Sequence, residues 1–136
     1  MTPTLSIKKQ LEIRFSEVDS MGVVWHGHYV TYLEDAREAF GEKYDLGYLR
    51  IFHEGYYAPL VDVHLQHKHP IIYGMQPEIE LVYRPADAAK IIFDYRITDG
   101  DTLIATARTM QVFMDKEYKL VLTNPPFFEE WKKKWL

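Results

Sequence analysis

The chain has 136 residues with 16 basic and 20 acidic side chains, a formal charge of -4 and no cysteine. That length supports one hydrophobic core without cross-links, and the missing cysteine excludes a disulfide scaffold, a thiolate metal site and a cysteine nucleophile. The acidic balance argues against nucleic acid as the main partner, no run approaches the ~20 apolar residues that span a bilayer, and Met1 to Gln10 lacks the apolar stretch of a secretory signal, so a single cytoplasmic domain over residues 1–136 is expected.

Leu5 to Phe15 suits a first strand, with Leu11, Ile13 and Phe15 on one parity and Glu12 and Arg14 on the other. Ser16 to His26 mixes Gly22 with small and polar residues and reads as a loop with a sharp bend. Beyond it Tyr29, Leu33, Ala36, Phe40 and Tyr44 recur at helical spacing, which predicts one long helix with an apolar stripe and Gly47 as its stop. A short helix is expected around Tyr48 to Glu54. Then Val61, Val63 and Leu65 alternate with Asp62, His64 and Gln66, and Ile79, Leu81 and Tyr83 alternate with Glu78, Glu80 and Val82. The clearest strand runs from Lys90 to Thr98, with Ile91, Phe93, Tyr95 and Ile97 on one face. Asp99–Gly100–Asp101 turns it into Thr102 to Met114, and Asp115–Lys116–Glu117 turns that into Tyr118 to Thr123. In the tail, Phe128, Trp131 and Trp135 follow helical spacing beside Lys132, Lys133 and Lys134, as expected of a helix packing its rings on the sheet or across an interface.

These elements predict an α+β fold, an antiparallel sheet of five or six strands around one long helix. One helix covers little of a broad sheet. The open edges and the surplus of rings, 10 Tyr, 7 Phe and 3 Trp, therefore predict self-association, most simply a two-fold dimer.

The loop before the helix holds the densest reactive set: Glu17, Asp19, His26 and His28. Amides at a helix start lack intrahelical partners and carry the positive end of the dipole, so they can stabilise a developing oxyanion. A carboxylate facing a carbonyl held there suits acyl transfer to water. One carboxylate is weak machinery against an amide, whose amine must be protonated to leave. A thiol, with a pKa of about 8.5, departs as thiolate, so a thioester is the favoured substrate.

The run Asp19–Ser20–Met21–Gly22–Val23–Val24–Trp25–His26, followed by Gly27–His28–Tyr29, resembles the active-site segment of hotdog-fold acyl-CoA thioesterases of the 4-hydroxybenzoyl-CoA type. The resemblance implies a hotdog fold that hydrolyses acyl-CoA, or an acyl carrier protein thioester, to free acid and thiol without metal or organic cofactor. It implies Asp19 as general base or nucleophile and the His26 backbone amide as the donor that polarises the carbonyl. Gly22 permits the bend, and His28, Tyr29 and Arg96 are implied substrate contacts, Arg96 at a position where basic residues hold coenzyme A phosphates. It also implies back-to-back pairing of two chains with sites at the dimer interface, as a homodimer or homotetramer. The chain departs from the family at Glu17, where many relatives carry Asp, at His28, where many carry Asn, and in having one basic residue near Arg96 rather than a pair.

Each signal has a plainer reading. Asp19 alone would be a turn or capping residue, and Glu17 a support for the loop. His64, His67 and His69, of which the last two could share a strand face, lack a carboxylate at ligand spacing, so a polar strand face is expected there rather than a metal site. The alternative function is a non-hydrolytic acyl-thioester binding or dehydratase-like hotdog protein.

Overall fold

A computed structural model of the chain describes residues 4–136, so the first three residues of the N-terminal segment judged above lie outside the described residues. The elements follow in the order β1 (Ser6–Gln10), α1 (His28–Tyr44), α2 (Tyr48–His53), β2 (Leu60–His67), β3 (Glu78–Arg84), β4 (Lys90–Asp99), β5 (Thr102–Met114), β6 (Leu120–Val121) and α3 (Pro126–Trp135), with a 3-10 turn at Phe15–Glu17. All strand pairs are antiparallel. The sheet order is β1-β3-β4-β5-β2, with β6 paired to β5.

The alternation read in the sequence sets the faces of this sheet. Ile79, Leu81 and Tyr83 of β3 and Ile91, Phe93, Tyr95 and Ile97 of β4 are buried against the expected stripe of α1, Tyr29, Leu33, Ala36, Phe40 and Tyr44, all buried as well. The tail packs inward: Phe127, Phe128 and Trp131 of α3 are buried, and Trp131 Nε1 donates to the Tyr44 carbonyl at 2.6 Å. That bond satisfies one of the carbonyls which the end of α1 leaves without an intrahelical partner.

Two expectations are corrected. The first strand does not run to Phe15. It stops at Gln10, opposite Glu78 at the start of β3; the Leu11 amide still donates to the Pro77 carbonyl, but beyond it no partner strand continues and Phe15 is exposed. Gly47 is not the stop of α1. The left-handed cap falls on Asp45, and Gly47 instead begins α2, where it crosses Gly41 so closely that a Cβ on Gly41 would lie 2.6 Å from the Gly47 Cα. Finally, β2 forms as expected, yet Val61 and Val63 remain 54% and 41% exposed. The reason is topological: β2 is an outer strand, and α1 packs over β1 and β3 at the other side of the sheet.

Candidate active site

The loop between β1 and α1 is a small hairpin. Val18 bridges Val24, the Asp19 amide donates to the Val23 carbonyl at 2.8 Å, and the Trp25 amide donates to the Glu17 carbonyl at 3.0 Å. The reversal is a tight turn in which the Gly22 amide donates to the Asp19 carbonyl at 3.0 Å and Gly22 takes a φ of +78°. A side chain at that φ is strained, which explains glycine at the bend. Asp19 serves the turn as well. Its Oδ1 accepts from the Met21 amide at 2.8 Å, which fixes the half-buried carboxylate, while Oδ2 has no partner among the described residues. The plain and the chemical readings of Asp19 are thus compatible, because the turn orients the group and leaves one oxygen available.

The second strand of the hairpin runs directly into α1. The His28 and Tyr29 amides donate to the carbonyls of Trp25 and His26, whereas the His26 amide has no acceptor among the described residues. Among the described residues no side chain caps this helix start, and no acidic residue occupies the first turn, so its partial positive charge is not neutralised locally. The Trp25 ring lies over Gly27 and packs against the imidazoles of His26 and His28, with centroids 4.9 and 5.5 Å away. Tyr29 is buried, its ring 4.5 Å from that of His67 at the end of β2. Burial pushes the Tyr29 phenol above its ordinary pKa, and a backbone hydrogen bond from Ile71 partly offsets this.

Asp19, Gly22, His26, His28 and Tyr29 lie along the hairpin and the helix start that follows it, whereas Arg96 lies elsewhere. Arg96 lies on the face of β4 turned away from α1, lining a concave surface of about 440 Å³ with Arg84, Arg108, Asp94 and His64. It is nevertheless near the loop's end of the sheet, since the adjacent row runs Ile97, Ala105, His67, and His67 touches Tyr29. On this surface Asp94 pairs with Arg108 at 2.6 Å and with Arg84 at 2.7 Å. The hydrogen bond from Arg108 holds the Asp94 carboxyl below its ordinary pKa, with Arg84 acting in the same sense and partial burial opposing both. The three histidines do not converge, and His69 lies beyond β2 and so shares no strand face with His67. His64 faces the outer surface with Arg108, β2 ends at His67, and His69 turns to the Pro70 carbonyl.

One part of the site carried no signal in the sequence. The connection between β2 and β3 docks on the hairpin: the Ile71 carbonyl accepts from the Val24 amide at 2.8 Å, Ile72 bridges Val23, and the Tyr73 amide donates to the Gly22 carbonyl at 3.2 Å. This leaves Phe15, Met21, Trp25, Ile72 and Tyr73 as an exposed apolar rim around the loop. No periodicity marks such a contact, because it joins two irregular segments about fifty residues apart.

This fold agrees with comparisons to known proteins. A model of the thioesterase-like superfamily matches residues 13–135, and the chain belongs to that family. It is 26% identical over 125 residues to "Putative acyl-CoA thioesterase YneP" of Bacillus subtilis, covering 91% of each chain. It is 23% identical over 124 residues to a 1,4-dihydroxy-2-naphthoyl-CoA hydrolase of Synechococcus elongatus, covering 90% of this chain and 91% of that one. Among solved structures, the hypothetical protein TT1821 of Thermus thermophilus superposes with a TM-score of 0.84 at 25% identity, covering 96% of this chain and 98% of that one. The six-stranded antiparallel sheet with its central helix is the hotdog fold.

Proposed function

We propose that this chain hydrolyses acyl thioesters of coenzyme A, releasing the free acid and the thiol. The observation that carries this reading is the oriented carboxylate of Asp19, two residues beyond the pinned Glu17, on the same small hairpin as the open amide of His26 at the start of α1. In the proposed reaction the thioester carbonyl oxygen accepts from the His26 amide, and Asp19 either removes a proton from an attacking water or attacks the carbonyl itself. The C–S bond breaks as the tetrahedral centre collapses, and the thiolate leaves carrying the negative charge; where Asp19 has attacked, water then hydrolyses the mixed anhydride to the free acid and restores the Asp19 carboxylate. Alkyl thiolates form readily, with pKa about 8.5, so no dedicated acid is required.

The remaining assignments follow the same reading. Gly22 lets the hairpin close, His28 and Tyr29 border the acyl group at the first turn of α1, and Arg96 with its neighbouring guanidiniums attracts the phosphates of coenzyme A. An acyl carrier protein thioester is the finer alternative, differing in the carrier and not in the chemistry. Its charge requirement would fall on the same arginines. Support for a coenzyme A thioester comes from the Synechococcus relative, whose name states that it acts on 1,4-dihydroxy-2-naphthoyl-CoA. The exposed valines of β2 support a dimer in which this outer strand pairs with its counterpart across a two-fold axis.

The test is colorimetric thiol release from short, long, branched and aromatic acyl-CoAs, with Asp19→Asn in parallel. The reading expects turnover that the variant loses. Binding without turnover across acyl-CoA and acyl carrier protein substrates would favour the non-hydrolytic alternative. Arg96→Ala should raise KM for acyl-CoA and leave that for N-acetylcysteamine thioesters, which lack the phosphates, unchanged.

A further inference from the structure

We infer that Glu17 and Tyr32 form a positioning pair that fixes the catalytic hairpin to α1, Glu17 acting as a hydrogen-bond acceptor and not as a second acid or base. The inference rests on the reading of Asp19 and His26 given above. It starts from one carboxylate oxygen. Glu17 Oε1 accepts from the Arg14 amide at 2.8 Å and from the Tyr32 hydroxyl at 2.9 Å. The first bond closes the 3-10 turn that enters the hairpin, and the second reaches across to the second turn of α1, where Tyr32 is almost wholly buried. The Glu17 backbone holds the hairpin's other strand, since its carbonyl accepts from the Trp25 amide at 3.0 Å.

A single residue therefore joins three pieces that must keep register for the proposed reaction: the strand that carries Asp19, the strand that ends at His26, and the helix whose start supplies the oxyanion donor. Without the Glu17 carboxylate the hairpin would still turn at Gly22, but its angle to α1 would rest on the bonds from the His28 and Tyr29 amides to Trp25 and His26 and on the docking of Ile71, Ile72 and Tyr73. Rigid placement of reacting groups is worth large factors in rate, and a displacement of about 1 Å can cost up to ~100-fold. The phenol is well suited to its part. Burial, reinforced by the Glu17 carboxylate, pushes its pKa far above neutrality, so it stays protonated and remains a donor.

The geometry separates this role from acid–base chemistry. An amide in place of the carboxylate keeps an oxygen that can accept both bonds, whereas alanine keeps none. Two readouts are needed: kcat and KM for an acyl-CoA turned over by the parent chain, and deuterium uptake of the segment 15–27 in the absence of substrate. Glu17→Ala and Tyr32→Phe should each lower kcat about tenfold with KM little changed and raise uptake in that segment, while uptake in β3 and β4 stays as in the parent. Glu17→Gln should restore both readouts to within about twofold of the parent. The double variant should lose little more than either single one, because both break the same bond. Loss of turnover in Glu17→Gln as deep as that in Asp19→Asn would overturn the inference by making Glu17 a chemical participant. Parent-like kcat and uptake in both Glu17→Ala and Tyr32→Phe would overturn it by removing the pair's role. Turnover that survives Asp19→Asn would refute the reading of Asp19 instead, and the uptake measurement would still decide on the pair.

Discussion

Gly41→Ala is expected to destabilise the fold, although helix propensity alone predicts the opposite. Within a helix interior alanine is favoured over glycine by about 1 kcal/mol. Against that gain stands the crossing of α1 and α2. A Cβ at position 41 would lie 2.6 Å from the Gly47 Cα and 2.8 Å from the Gly47 amide nitrogen. Non-bonded carbons settle at about 3.5–4.0 Å, so one backbone segment must retreat by roughly 1 Å. The obstacle is main chain, which cannot rotate away as a side chain can. Retreat would also strain the Leu46 amide's bond to the Gly41 carbonyl, 3.0 Å long, and the Ile51 amide's bond to the Gly47 carbonyl, 3.1 Å long. Overpacking of this kind costs ~1–3 kcal/mol or more, and the backbone contact argues for the upper end. The net expectation is a loss of about 2 kcal/mol, or a fall in Tm of roughly 6–10 °C for a chain of this size. Urea denaturation followed by circular dichroism measures it. Gly47→Ala is the internal control, because a Cβ there finds its nearest atom at 3.9 Å and φ is an ordinary -82°; it should stay within about 0.5 kcal/mol of the parent. A Gly41→Ala chain as stable as the parent, or more so, would refute the argument from close approach.

Other residues give equally direct expectations. The Tyr83 hydroxyl is buried without a partner among the described residues, and burial raises its pKa to about 12, so Tyr83→Phe should leave stability unchanged or raise it by up to ~1 kcal/mol in the same denaturation assay. Trp131→Phe removes the donor to the Tyr44 carbonyl at the end of α1 while keeping a ring in place, and should cost about 1–3 kcal/mol, chiefly from the orphaned carbonyl and lost area. Asp94 binds its proton less tightly in the folded chain than in the unfolded one, because Arg108 and then Arg84 stabilise the carboxylate. Its contribution is therefore complete above the ordinary value of 3.8 and declines as pH falls below it. The difference in urea midpoint between the parent and Asp94→Asn should accordingly be larger at pH 7 than near pH 3, and should shrink with added salt because both arginines are largely exposed.

How far the sequence could be read depended on whether a signal was local. Period two in Ile79–Tyr83 and Ile91–Ile97 and the helical spacing from Tyr29 to Tyr44 identified the core, because a residue's own neighbours decide which face it shares. Boundaries depended on partners. Nothing in Leu11, Ile13 and Phe15 says that β3 begins opposite Gln10, so the alternation there outran the strand it predicted. The same holds for Gly47, whose composition suits a helix stop while its position serves a crossing. In the site, the run from Asp19 to Tyr29 is contiguous and was legible as a unit. The docking of Ile71 to Tyr73 against it was not, and neither was the bond from Tyr32 to Glu17, since both depend on chain geometry beyond any local pattern.

Whether Asp19 drives hydrolysis of an acyl-CoA is decided by kcat for thiol release from Asp19→Asn relative to the parent. The measurement should use an acyl-CoA the parent turns over, with both chains matched in circular dichroism and urea midpoint. The expected fall is at least about 100-fold, the scale of a lost general base or nucleophile. Equal turnover by parent and variant would contradict it.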